Sequence, residues 1–281
     1  MNTTHRFRRF WQFPLPFLSI PLLLGAFVFS PCWADSTVRN ALLQAADHEA
    51  SGQYVRERFL SLMKKPFQAN AREKVLILGD SHAQDFVNMV FESGHWQGYQ
   101  ISTRDIPTRC QPVLGANAAT FIAVQDKTFC AEADSLEKAQ AQIAEADIVI
   151  LAANWKAWAA QELPTTISHL KLAPQQKLFV IGRKSFGKVA VRNYLRMTEE
   201  ELRNVRNKPD AEQEKINGIM KTGLDGNVFI DLQQQVCGSP SSCQIFTDNL
   251  QLVSFDGGHL TKEGARYIGD ILFRQTPLGQ L

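Results

Sequence analysis

The tightest constraint on this chain is a set of short apolar runs with no polar alternation. Val75-Leu76-Ile77-Leu78 follows Lys74, Ile148-Val149-Ile150-Leu151-Ala152 lies mid-chain, Leu178-Phe179-Val180-Ile181 follows Lys177, and Val228-Phe229-Ile230 comes later. A strand with one wet face alternates polar and apolar residues, so runs like these require cover on both faces. Tyr99 to Thr103 is a weaker fifth candidate. Helical composition fills the gaps. Ser36 to Leu62 contains no proline and reads as one helix, or two around Gly52. Ala83 to Glu92 stops at Ser93-Gly94, and Asp134 to Ala146 places Leu136, Ala139, Ile143 and Ala146 on one face. Glu199 to Lys221 is broken at Pro209, and Thr261 to Phe273 closes the chain. Pro107 to Thr128 reads as a long connection. This alternation predicts an α/β fold, a three-layer αβα sandwich around a mostly parallel five-stranded sheet. In such folds ligands bind outside the carboxyl ends of the strands.

With 281 residues, 44% of them hydrophobic, the chain can bury roughly 70–75% of its extended surface in one domain. The front is different. Residues 1–12 carry Arg6, Arg8 and Arg9, Phe13 to Phe29 is an apolar run broken by Pro14, Pro16 and Pro21, and Cys32 and Ala34 occupy the −3 and −1 positions before Asp35. That pattern predicts a signal peptide or an N-terminal membrane anchor over 1–34. A helical extension over 35–71 and a main domain over 72–281 follow it. The expected location is periplasmic or secreted, with membrane contact only through the N-terminal segment. Without the three leader arginines the formal charge falls from +2 to −1, which gives no argument for a nucleic-acid partner. Beyond the leader stand Cys110, Cys130, Cys237 and Cys243, which allow three connectivities. Export favours disulfides, and the preferred pairs, Cys110–Cys130 and Cys237–Cys243, each bracket one loop. Zinc is the competing reading, but no C-x-x-C pair is present.

The strand-end rule selects Asp80, Ser81 and His82 after the first run, Asn154 and Trp155 after the mid-chain run, Arg183 after the next, and Asp256-Gly257-Gly258-His259-Leu260-Thr261 before the last helix. A serine nucleophile needs a base for its proton, a carboxylate to orient that base, and donors for the developing oxyanion. Ser81, His259 and Asp256 can supply the nucleophile, the base and the carboxylate, since a three-residue offset lets an Asp and a His share one turn. The backbone N–H of Ser81 and the amide of Asn154 are candidate oxyanion donors. Asp80 is expected to shape its turn and His82 to point away. Thr261 is expected to cap the last helix. Trp155 and Trp158 either stack on a sugar face or pack inside. Arg183 and Lys184 either meet an anionic polymer or remain a solvated pair.

Gly79-Asp80-Ser81-His82 after a buried strand, with Asp256-x-x-His259 near the end, resembles the SGNH (GDSL-like) hydrolase superfamily. Ala83 after the first block, and Leu260-Thr261 with Gly264-Ala265 after the second, make the chain most similar to the SGNH domain associated with bacterial acyltransferase-3 proteins. In that group a cysteine pair commonly precedes the Asp-x-x-His block, as Cys237 and Cys243 do here. The resemblance implies a flavodoxin-like fold, Ser81 as nucleophile, His259 as base and Asp256 as its partner. The superfamily's third block usually reads Gly-x-Asn-Asp. Here Ala152-Ala153-Asn154-Trp155 keeps the asparagine and lacks the glycine. Gly115 is the candidate for the oxyanion glycine of the second block. The implied activity is O-acetyl transfer or O-acetyl ester hydrolysis on envelope carbohydrate or peptidoglycan, with no cofactor or metal. Substrate contacts at Trp155 and Arg183, an O-acylated glycan or peptidoglycan substrate and a membrane acyl-donor protein complete the expectation. The alternative is a non-catalytic envelope protein that binds polysaccharide or an assembly partner.

Overall fold

In the computed structural model, which describes residues 36–281 except 71, 116, 117 and 240, the apolar runs form one parallel sheet. The expected leader lies outside the described residues. In chain order the principal elements are α1 (Ser36–Ala45), α2 (His48–Ser61), β1 (Lys74–Gly79), α3 (Ser81–Glu92), β2 (Gln100–Asp105), α4 (Leu136–Glu145), β3 (Ile148–Ala152), α5 (Ala157–Leu170), β4 (Lys177–Ile181), α6 (Ala211–Gly223), β5 (Phe229–Ile230) and α7 (Lys262–Gln275). The sheet runs β2-β1-β3-β4-β5, every neighbour parallel, with Gly79 level with both Asp105 and Ala152. This is the flavodoxin-like strand order, and its switch point falls between β1 and β3.

Alternate residues of each strand enter different cores. Val75, Ile77, Ile148, Ile150, Phe179 and Ile181 pack with α3, α7 and the first two helices on one face. Leu76, Leu78, Val149, Leu151, Leu178 and Val180 pack with α4, α5 and α6 on the other. The period-2 side-chain geometry of a strand thus demands two apolar layers, which is why the runs show no polar gaps. Phe59 is fully buried in the first core, so the N-terminal helices seal that face.

Local chemistry sets the helix ends, and three of them depart from expectation. The first helical stretch breaks at Ala46-Asp47, not around Gly52, because the Asp47 side chain accepts from the Ala50 N–H and starts a new helix. The stretch from Glu199 is a short helix to Asn204, a two-residue strand at Arg206–Asn207 and then α6. That small strand pairs antiparallel with Cys243–Gln244. The connection after β2 contains short helices at Ala118–Phe121 and Lys127–Glu132. Cys110 and Cys130 are bonded across it (S–S 2.06 Å), and Cys237 is bonded to Cys243. No helix among the described residues is long and apolar enough to cross a membrane.

Candidate active site

The turn between β1 and α3 is built around Gly79. Its φ of +147° suits glycine, and a Cβ there would lie 1.8 Å from the Ala152 carbonyl oxygen. Absence of a side chain lets the end of β1 press against β3. Asp80 then caps α3 by accepting from the His82 N–H at 3.0 Å. The same carboxylate accepts the Asn154 N–H (3.0 Å to each oxygen) and the Thr108 hydroxyl (2.6 Å). Asp80 is therefore a hub for three strand ends. It is 3% exposed, and burial pushes its carboxyl above the usual range although these hydrogen bonds favour the charge. Gln111 extends the scaffold, donating to the carbonyls of Thr108 (2.7 Å) and Asn154 (3.2 Å) and accepting the Lys156 N–H (2.9 Å).

At the first position of α3, Ser81 Oγ lies 2.9 Å from His259 Nε2, and His259 Nδ1 lies 2.6 Å from Asp256 Oδ2. The three side chains converge at the carboxyl edge of the sheet. The loop that delivers His259 is closely tied. Asp256 Oδ1 accepts the Gly258 N–H (2.8 Å) and the His259 N–H (2.7 Å), and Ser254 Oγ donates to the His259 carbonyl (2.6 Å). Gly257, at φ +95°, sits against the Gly187 backbone, where a Cβ would be 2.0 Å from its carbonyl oxygen. Thr261 caps α7 by accepting from Gly264 (3.0 Å). Phe255 lies beside the imidazole, with ring centroids 5.9 Å apart.

Electrostatics follow from these contacts. For Asp256, burial opposes the charge, but hydrogen bonds from the His259 ring and from the N–H groups of His259 and Gly258 prevail and hold the carboxyl well below its ordinary value. The hydrogen bond to Asp256 raises His259 above the usual imidazole value, against an opposing contribution from burial. With Nδ1–H donated to Asp256, Nε2 is free to accept the Ser81 proton. Burial holds His82 well below the usual range, and Lys184, His259 and Arg183 add to the effect.

The remaining expectations fare differently. Asn154 is held beside the Ser81 turn by its backbone, and among the described residues no partner is found for its side-chain amide or for the Ser81 N–H. Trp155 is not a surface residue. It is fully buried in the second core and donates its indole N–H to the Ile181 carbonyl at 2.9 Å, so a sugar cannot stack on it. Trp158 stacks on Phe121 instead (centroids 5.3 Å). Gly115, at φ +127°, lies against the Thr165 side chain of α5. Arg183 donates to the Trp155 carbonyl (3.2 Å), and its side chain is only 15% exposed. It also lies 3.9 Å from the exposed carboxylate of Glu212, and Lys184 is buried against Asp85, so the two cations are not a solvated pair. Sequence reasoning missed Thr108, Gln111 and Asp85, and did not read Lys184 as buried.

Comparisons with known proteins bear on the same region. No curated protein sequence matches the chain. Among solved structures it resembles the periplasmic domain of a lipopolysaccharide acetyltransferase from Salmonella ser. Paratyphi A, with a TM-score of 0.54 and 16% identity, covering 84% of this chain and 98% of that one. That likeness is one of fold. A family model described as the SGNH domain fused to AT3 domains matches residues 43–274, from within α1 to the last turn of α7. The match takes in both blocks around Ser81 and His259, and the chain belongs to the SGNH domain family, the acyltransferase and esterase kind.

Proposed function

We propose that this protein is an extracytoplasmic serine acyl-transfer enzyme acting on O-acylated envelope carbohydrate or peptidoglycan. The observation that carries the reading is the continuous hydrogen-bonded line Ser81 Oγ–His259 Nε2 and His259 Nδ1–Asp256 Oδ2, at 2.9 and 2.6 Å. His259 takes the hydroxyl proton as Ser81 Oγ attacks the ester carbonyl. Asp256 fixes the tautomer and offsets the charge that develops on the imidazolium. The tetrahedral oxyanion meets the unpartnered Ser81 N–H, at the start of α3, and the Asn154 amide. Collapse breaks the donor ester bond, passes the proton from His259 to its leaving oxygen and leaves the acyl group on Ser81. Release to water makes the protein an esterase, and release to a second sugar hydroxyl makes it a transferase. A membrane acyl-donor protein is the proposed source of the group in the second case. Two disulfides suit an oxidising compartment.

The test is hydrolysis of an acetyl-ester dye by the protein and by Ser81→Ala, with intact-mass detection of the acyl-enzyme. The expected result is a fall of at least about 10⁴-fold and an acyl mass gain in the parent alone. Equal rates and no adduct would replace this reading with a binding role.

A further inference from the structure

One turn after Ser81 on the same helix, Asp85 is fully buried. Its Oδ2 lies 2.6 Å from Nζ of Lys184, itself 4% exposed, and its Oδ1 accepts the N–H of Leu260 at 3.2 Å. A single carboxylate thus touches both the loop after β4 and the residue that follows His259. Among the described residues, the Lys184 ammonium pairs with Asp85 alone, as an ion pair by proximity in which neither Nζ nor Oδ2 makes a directed hydrogen bond. The two loops also bond directly: the Phe186 N–H donates to the Gly257 carbonyl at 2.8 Å, beside the close approach of Gly257 to Gly187. A buried ion pair is seldom a net gain over apolar packing, so its presence under a reactive centre calls for a positional reason.

Resting on the acyl-transfer reading above, we propose that Asp85 and Lys184 are positioning residues, a buried clamp that locks the His259 loop onto the helix carrying Ser81 with charges that cancel beneath the imidazole. The clamp holds the backbone one residue past His259, while Asp256 holds the His259 ring and its N–H. Its charges oppose one another at His259, Asp85 favouring the protonated ring and Lys184 the neutral one. The other groups that face this imidazole are Asp256 on its own loop and Ser81 and His82 on α3. Arg183 faces His82, and His48 of α2 lies beyond Phe255. Breaking one half of the clamp therefore leaves an uncompensated charge whose sign is known.

The experiment is a titration of the His259 imidazole by NMR in the whole protein, its signal assigned by its loss in His259→Gln, in parallel with the pH profile of kcat/KM. Asp85→Asn keeps an amide oxygen for the Leu260 N–H and should lower the His259 midpoint by about one pH unit. Lys184→Met should raise it by about one unit. The neutral double variant should return to within about 0.3 unit of the parent and recover kcat lost in the single variants. Shifts in one direction for both singles, no shift in either, or a double variant more displaced or less stable than both singles would overturn the clamp. The titration reads the ring with or without turnover. An inactive parent therefore sinks only the acyl-transfer reading, whereas an active parent with an unmoved His259 in all three variants sinks only the clamp.

Discussion

Asp80 adjoins Ser81 along the chain, and Asp256 adjoins His259 in space. Asp80 is 3% exposed and accepts from two backbone N–H groups and a threonine hydroxyl, each from a different strand end. Asp256 has a side chain 30% exposed and accepts only from its own loop, the His259 ring included. Burial pushes the first carboxyl up, while the second is held well down despite burial. One carboxylate is a structural junction and the other an electrostatic partner. Sequence proximity to the nucleophile is therefore a poor guide to chemical role.

The sharpest way to break this contrast is Asp256→Asn. If the residue acts electrostatically, kcat for ester turnover should fall about 10³–10⁴-fold through the wrong His259 tautomer, with a loss of Tm smaller than that of Asp80→Asn. A comparable loss of Tm would make Asp256 a second junction. Asp80→Asn should do the reverse. An amide there cannot accept at both oxygens, and unfolding titrations should show about 2–4 kcal/mol of lost stability, with activity falling only as folded protein is lost. Thr108→Val removes one of the hub's donors and should cost about 1 kcal/mol by the same measurement. The smallest effects concern pH. Because His259 must be neutral to act and its value is raised, kcat/KM should rise through a midpoint above the ordinary imidazole value, and Asp256→Asn should move that midpoint down. Asp256, depressed in the fold, contributes stability above the unfolded carboxyl value of about 4 that is lost as pH falls below it. Asp80, raised in the fold, has the opposite sign. Unfolding curves of Asp256→Asn between pH 3 and 7, about the range that matters, should show a flatter acid limb.

What could be read from the chain follows the locality of each signal. The strands are local apolar runs, and a parallel sheet is a consequence of covering both faces, so the fold class was accessible. Ser81, Asp256 and His259 sit in compact blocks whose spacing carries their meaning. The helix α5 went unread because Pro164 interrupts it and its buried residues Ala159, Ala160 and Leu163 are small or scattered. Asp80 was placed in its turn but not at its junction, since Thr108 and Asn154 come from distant segments. Lys184 read as solvated because its partner lies 99 positions away. Trp155 had two readings that only burial separates.

The side chains of His259 and Asp256 are about one-third open to solvent, at 33% and 30%. An acyl group parked on Ser81 would accordingly stand near bulk solvent, and any sugar acceptor would have to outcompete a far more abundant rival for it. Transfer under those conditions demands that the acceptor be held in place by its own polymer or by a partner before the ester forms, so that encounter frequency is replaced by tethering.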